Sequence, residues 1–283
     1  MKKFIVLLML VALLLSATGC NNTESVPPQN DITAEESTTD VMSDVPESTT
    51  ALAPVESEMA ESTSVPSSME LKKVGNMQYY LYIPSNPEPG MTLIVYLHGG
   101  TNKKGDVGEL LTLEGFPKFL YEGYYGDLRA YVAVPKLDES ISGWANASDT
   151  VRNMIKSISD NYGIDMKKVA LTGHSLGGTG TYQLQLKMSN TFACIAPMSG
   201  SVKLTDANID ALMKTKIWAF VGSEDKIVDP ASSIETVDAL KNINVEANIT
   251  ILDGATHFDV PSLAYKNEEL IAWLVNCGEL SKN

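Results

Sequence analysis

The chain reads as an α/β protein with a mostly parallel central sheet covered by helices on both faces. Three observations predict this. Beyond residue 70, short runs of apolar and β-branched residues alternate with longer stretches of helical pattern, as in successive strand–helix–strand units. Several of the short runs, such as Leu93-Ile94-Val95-Tyr96-Leu97, are apolar at every position, as expected of strands buried on both sides. The chain has 283 residues, 44% hydrophobic and 20% charged, enough to bury a sizeable core.

The first element is an address. Lys2 and Lys3 precede twelve apolar residues, Phe4 to Leu15, and the small residues Ser16-Ala17-Thr18-Gly19 lead to Cys20. A basic start, a short apolar run and a small-residue end read as a secretory signal over 1–20. As a helix the apolar run rises only about 18 Å, short of the roughly 30 Å hydrocarbon core. Ala17-Thr18-Gly19-Cys20 resembles the bacterial lipoprotein box, with Ala17 where Leu is more usual. That resemblance implies lipidation of Cys20 and a membrane partner reached through the lipid; cleavage and release is the alternative.

Residues 21–70 read as an acidic tether. They hold 11 Asp and Glu, no Lys or Arg, 16 Ser and Thr, five Pro and no aromatic residue. Such a segment cannot bury enough apolar surface to offset its ordering entropy. It also carries most of the net charge of −14. That charge excludes nucleic acid as the main partner, because phosphate binding needs a basic face.

Residues 71–283 are the expected folded domain. Strands are predicted at Met77–Ile83, Leu93–Leu97, Tyr131–Val134, Val169–Thr172, Phe192–Ala196, Ile217–Val221 and Ala247–Leu252, the first ended by Pro84. Helices are predicted near 108–121, 149–161, 176–188, 205–213, 231–241 and 262–276. Leu184 and Met188 stand four apart and mark a buried side; Leu263, Leu270, Trp273 and Leu274 do the same in the last helix. In such sheets ligands bind beyond the carboxyl ends of the strands, so chemistry belongs in the loops that follow them. The three cysteines form no C-x-x-C pair; Cys194 and Cys277 are expected as free thiols. No metal cluster or phosphate loop appears, so no cofactor is expected.

After the strand ending at Thr172 comes Gly173-His174-Ser175-Leu176-Gly177-Gly178, a G-x-S-x-G motif where a strand meets a helix. The serine of such a motif sits on a sharp, unfavourable turn that lifts its hydroxyl above the sheet. Its neighbours two before and two after crowd the turn, and only glycine fits. The following helix begins beneath the serine and turns its free N–H groups toward a developing anion.

With that motif in place, residues 71–283 resemble an α/β-hydrolase. More narrowly they are similar to secreted esterases such as feruloyl esterases and polyhydroxybutyrate depolymerases, and to prolyl-oligopeptidase-like hydrolases. The resemblance is carried by the run from Asn161 through Gly178 and by Leu97-His98-Gly99-Gly100, which matches the family's oxyanion segment. It implies a Ser-Asp-His triad in the chain order nucleophile, acid, base. Ser175 is the nucleophile. His257, in Gly254-Ala255-Thr256-His257-Phe258, is the one histidine at a distance after it and the expected base. Gly222, Asp225 and Val228 fit the family's spacing for the acid, which selects Asp225 over its neighbours Glu224 and Asp229. The oxyanion donors are expected at Leu176 and at Gly100 or Thr101. His98 is expected to hold that loop rather than to move protons.

Around this centre Trp144 and His174 are the candidate substrate-binding residues, with Phe258 and Met198 weaker ones. The resemblance suggests that Trp144 stacks on a sugar or phenolic ring; packing is the plain alternative. His174 either lines the pocket or fills the crowded elbow. Only fifteen residues, Ser201 to Thr215, stand where many lipases carry a cap, so a minimal lid and an open cleft are expected. The implied activity is hydrolysis of carboxylic esters of carbohydrates or phenolic acids by an exported, lipid-anchored enzyme. A serine peptidase on the same scaffold and a non-catalytic surface binding lipoprotein are the competing readings.

Overall fold

The computed structural model describes residues 67–113, 115–205 and 209–279. The signal segment, Cys20 and the tether up to residue 66 lie outside the described residues. Among those described, eight strands form one sheet: β1 Ser68–Val74, β2 Met77–Ile83, β3 Leu93–Leu97, β4 Tyr131–Pro135, β5 Val169–His174, β6 Cys194–Met198, β7 Lys216–Gly222 and β8 Ala247–Leu252. Their order is β1-β2-β4-β3-β5-β6-β7-β8. β1 pairs antiparallel with β2, and β2 antiparallel with β4; all other neighbours are parallel.

Alternate residues of the continuous apolar strands feed two separate cores. Leu93, Val95 and Leu97 face one, with Tyr131 and Ala133; Ile94 and Tyr96 face the other, with Val132 and Val134. Helices α3 Ser148–Tyr162, α4 Leu176–Lys187 and α5 Pro230–Asn242 close the first core through Val151, Met154, Ile158, Leu184 and Leu240. Helices α1 Leu110–Leu113, α2 Gly115–Tyr121, α6 Asp259–Ala264 and α7 Glu268–Val275 close the second through Leu110, Phe116, Val260, Leu270 and Leu274. This is the α/β-hydrolase architecture.

Four expectations need correction. β1 takes in Ser68, Met69 and Glu70, which composition assigned to the tether: paired with β2, even a polar segment satisfies its backbone. The strand expected at Phe192–Ala196 runs instead from Cys194 to Met198, because the parallel register couples Ala170 to Cys194 and His174 to Met198. The stretch 205–213 carries, among the described residues, only a 3₁₀ turn at Ile209–Ala211. The last helix is two, since Asn267 starts α7 afresh by accepting from the N–H groups of Glu269 and Leu270. The break changes the helical phase, which is why Leu263 is exposed while Leu270 and Leu274 are buried.

Candidate active site

Ser175 lies between β5 and α4 with φ 59° and ψ −116°, a strained conformation for a residue with a Cβ. Its N–H donates to the Met198 carbonyl at 2.9 Å, and its carbonyl accepts from Thr179 N–H at 2.9 Å. The turn is thus held from the sheet on one side and from the helix on the other. A Cβ at Gly173 would stand 2.5 Å from the Leu97 carbonyl oxygen, and one at Gly177 would run into the same atom. Gly178 and Gly200 are equally confined, against the Met198 carbonyl and the Gly178 backbone; only the packing of β6 on α4 reveals their necessity.

We expect Gly177→Ala to destabilise the fold by about 2–3 kcal/mol, because backbone cannot swing aside as a side chain can. Its melting temperature should drop by roughly 4–12 °C in a thermal melt. An unchanged melt would contradict this packing of α4 on β3.

His257 and Asp225 meet across two loops. His257 Nδ1 lies 2.8 Å from Asp225 Oδ2, with both residues buried. The other carboxylate oxygen, Oδ1, accepts from Ile227 N–H and Val228 N–H, each at 2.9 Å. Burial raises the Asp225 carboxyl, but the Val228 N–H, His257 and the Ile227 N–H together outweigh it and hold the group below its ordinary range. The carboxylate accepts the Nδ1 proton, which leaves His257 Nε2 bare. The rivals of Asp225 are engaged elsewhere: Glu224 pairs with Lys226, and Asp229 caps α5 by accepting from Ala231 N–H.

Ser175 and His257 line one cavity of about 430 Å³, together with Gly100, Thr101, Asn102, His174, Ile227 and Phe258. A larger cavity, about 670 Å³ between Tyr124, Leu128 and Ile271, lies by the amino-terminal end of β4 and holds neither of these groups. The expected nucleophile and base both border the smaller one. Gly100 opens the 3₁₀ turn Thr101–Lys103, and a Cβ on it would approach Leu176 Cβ to 4.0 Å. The expected donors Leu176, Gly100 and Thr101 therefore converge beside the serine, at the N-terminal ends of two helical segments whose first N–H groups have no helical partner.

The two remaining histidines brace the loops around this cavity. His98 Nδ1 lies 2.7 Å from the Gly99 carbonyl oxygen, and its Nε2 accepts from Leu137 N–H at 2.9 Å. A carbonyl can only accept, so Nδ1 carries the proton and both ring nitrogens are spent on the loop. His174 Nε2 donates to the His257 backbone carbonyl at 2.9 Å, so this side chain both lines the cavity and holds the base loop. Lys136 was not singled out from the sequence. Its ammonium donates to the carbonyls of Asn102 and Lys104, the latter at 2.9 Å, and pins the loop after β3. No spacing rule links residue 136 to 102; they meet because β4 lies next to β3.

Trp144 corrects an expectation. It is fully buried, packs against Gly180 of α4, and donates from Nε1 to the His98 carbonyl at 3.1 Å. It braces the loop after β3 and offers no face to a ligand. Met198 is likewise buried in the second core and contributes its carbonyl, not its side chain. Phe258, two-thirds exposed, does border the cavity, with its ring edge-on to His257 at 5.5 Å. Cys194 and Cys277 are free thiols, as expected.

Burial pushes His98 and His174 from 6.5 down to about 4; the neighbouring His257 adds to the effect on His174. In the unfolded chain both take up protons near the ordinary value. Between pH 6.5 and 4 the unfolded state thus binds more protons, and stability falls as pH falls, by about 3 kcal/mol per histidine at most. Thermal melts from pH 7 to 4 should show a steady decline, shallower in a His98→Asn variant. A flat profile would mean that these rings are not held neutral.

Residues 77–269 match the family model described as the dienelactone hydrolase family. A 130-residue stretch, 43% of this chain, is 29% identical to a bifunctional acetylxylan esterase/xylanase of Neocallimastix patriciarum and spans only 17% of that protein's length. Among solved structures, a thermostable esterase aligns with TM-score 0.60 and 21% identity, covering 75% of this chain and 63% of its own. The feruloyl esterase module of Clostridium thermocellum aligns with TM-score 0.57 and 15% identity, covering 71% and 88%. At these identities the structural likenesses speak to the fold.

Proposed function

The chain belongs to the dienelactone hydrolase family, and from that premise we propose that it is a serine esterase working through Ser175, His257 and Asp225. The observation that carries this reading is the buried His257–Asp225 hydrogen bond of 2.8 Å, whose imidazole shares a cavity with Ser175. In the first step His257 Nε2 takes the Ser175 proton as Oγ attacks the ester carbonyl. The oxygen, now negative, is received by the N–H groups of Leu176 and of Gly100 or Thr101. The imidazolium then protonates the departing alcohol, and the acyl group stays on Ser175. A water molecule, deprotonated by His257, repeats the attack and releases the acid.

The substrates in this reading are carbohydrate or phenolic-acid esters. The matched acetylxylan esterase/xylanase and the feruloyl esterase module support that choice. A cleft bordered by exposed Phe258 and Ile227 suits bulky esters. We further read residues 1–20 as a lipoprotein signal, Cys20 as the lipidated residue and 21–70 as a tether, which would present the domain outside the cell membrane. The test is a fluorophosphonate probe on folded protein, with 4-nitrophenyl acetate as companion substrate. Labelling mapped to Ser175, with turnover of the ester, is the expected result. Folded protein that neither labels nor hydrolyses would end the proposal.

A further inference from the structure

A second concave site lies on the same edge of the sheet as Ser175. β2 runs antiparallel to β4, so its start stands beside the carboxyl end of β4, with Tyr79 opposite Pro135 and Lys136 N–H bonded to the Gln78 carbonyl at 2.9 Å. The β1–β2 turn at Gly75 and Asn76 is thereby carried to the edge where the loops after β3, β4 and β5 gather. Between this turn, the loop after β4 and the first turns of α3 opens a groove of about 470 Å³. Lys136 is in its wall, and the same ammonium holds the carbonyl of Asn102, which lines the catalytic cavity. One lysine–carbonyl hydrogen bond thus joins the walls of the two spaces.

The chemistry of the groove is specific. Asn76, Gln78, Thr150 and Asn153 line it, and among the described residues their side chains make no hydrogen bond. Amides and hydroxyls carry donors and acceptors side by side, which suits a ligand made of hydroxyl groups. The two charged residues are already committed: Asp138 Oδ1 accepts from Ser140 N–H and Oγ, while Lys136 serves backbone carbonyls. Their opposite charges balance, so the groove offers no net charge to select an ion. Ile141 supplies an apolar patch for the C–H face of a ring.

We propose that this groove binds the neutral, polyhydroxylated alcohol part of the ester, sugar units that run over the oxyanion loop away from the acylated one. The proposal rests on the esterase reading for its placement of the acyl group, and its test separates the two. In the full chain, kcat/KM is measured on acetylated xylotetraose and on 4-nitrophenyl acetate, for wild type and for Gln78→Ala/Asn153→Ala. Losing two hydrogen bonds of about 1 kcal/mol each should lower the ratio of the two values about 10-fold or more. A ratio within about twofold of wild type overturns the groove while leaving the esterase standing. Unesterified xylotetraose is also titrated calorimetrically into Ser175→Ala. Saturable binding, weakened about 10-fold by the double substitution, supports the groove even if no ester is hydrolysed. No saturable binding of xylotetraose overturns it.

Discussion

Ser175→Ala is expected to lower hydrolysis of 4-nitrophenyl acetate on the order of 10⁶-fold in turnover and to abolish fluorophosphonate labelling. The substitution removes one oxygen and little else. Alanine and serine share the same backbone strain at φ 59°, and the N–H to Met198 and carbonyl from Thr179 are main-chain bonds that alanine keeps. The melting temperature should therefore stay near that of wild type, which separates lost chemistry from lost folding. Residual catalysis would come from the oxyanion donors and from binding alone. A variant that still hydrolyses the ester at wild-type rate would remove Ser175 from the mechanism.

Asp225→Asn should cost about 10⁴ in turnover with little change in KM. The reason lies in which side of the carboxylate is already occupied. Oδ1 accepts two backbone N–H groups, from Ile227 and Val228. An amide placed here keeps its oxygen toward those donors and turns its NH₂ toward His257 Nδ1. That nitrogen must then accept, so the proton moves to Nε2, the position that has to receive the Ser175 proton. Charge is lost and the tautomer is inverted together. Glu224→Gln and Asp229→Asn are the controls: both side chains are exposed and engaged away from the base, so turnover should stay near wild type. A similar loss in either control, with Asp225→Asn still active, would reassign the acid.

Several features were legible in the residues because they depend on short-range rules. The G-x-S-x-G motif carries its own geometry: the glycine at 173 and that at 177 are both required by one carbonyl, that of Leu97. The run Leu93–Leu97 declared a strand buried on both faces because every position is apolar. The break at Tyr265–Asn267 was less legible, since apolar spacing on its two sides mimics one continuous helix. Only the Asn267 cap shows where α7 restarts. Trp144 stayed between stacking and packing because position along the chain told which edge of the sheet it occupies, but not which side of the loop its ring takes.

The order of chemical groups along this chain was enough to determine the fold class, the elbow serine and a short set of partners for it. Local backbone sterics and apolar periodicity act over a few residues, and both are written directly in the residue types. Tertiary structure alone decided that His174 braces the loop of His257, that Lys136 clamps the carbonyl of Asn102, and that Trp144 is buried against the loop after β3. Each of these depends on strands brought side by side by long-range pairing, and hydrogen bonds form between whatever atoms that pairing leaves within about 3 Å.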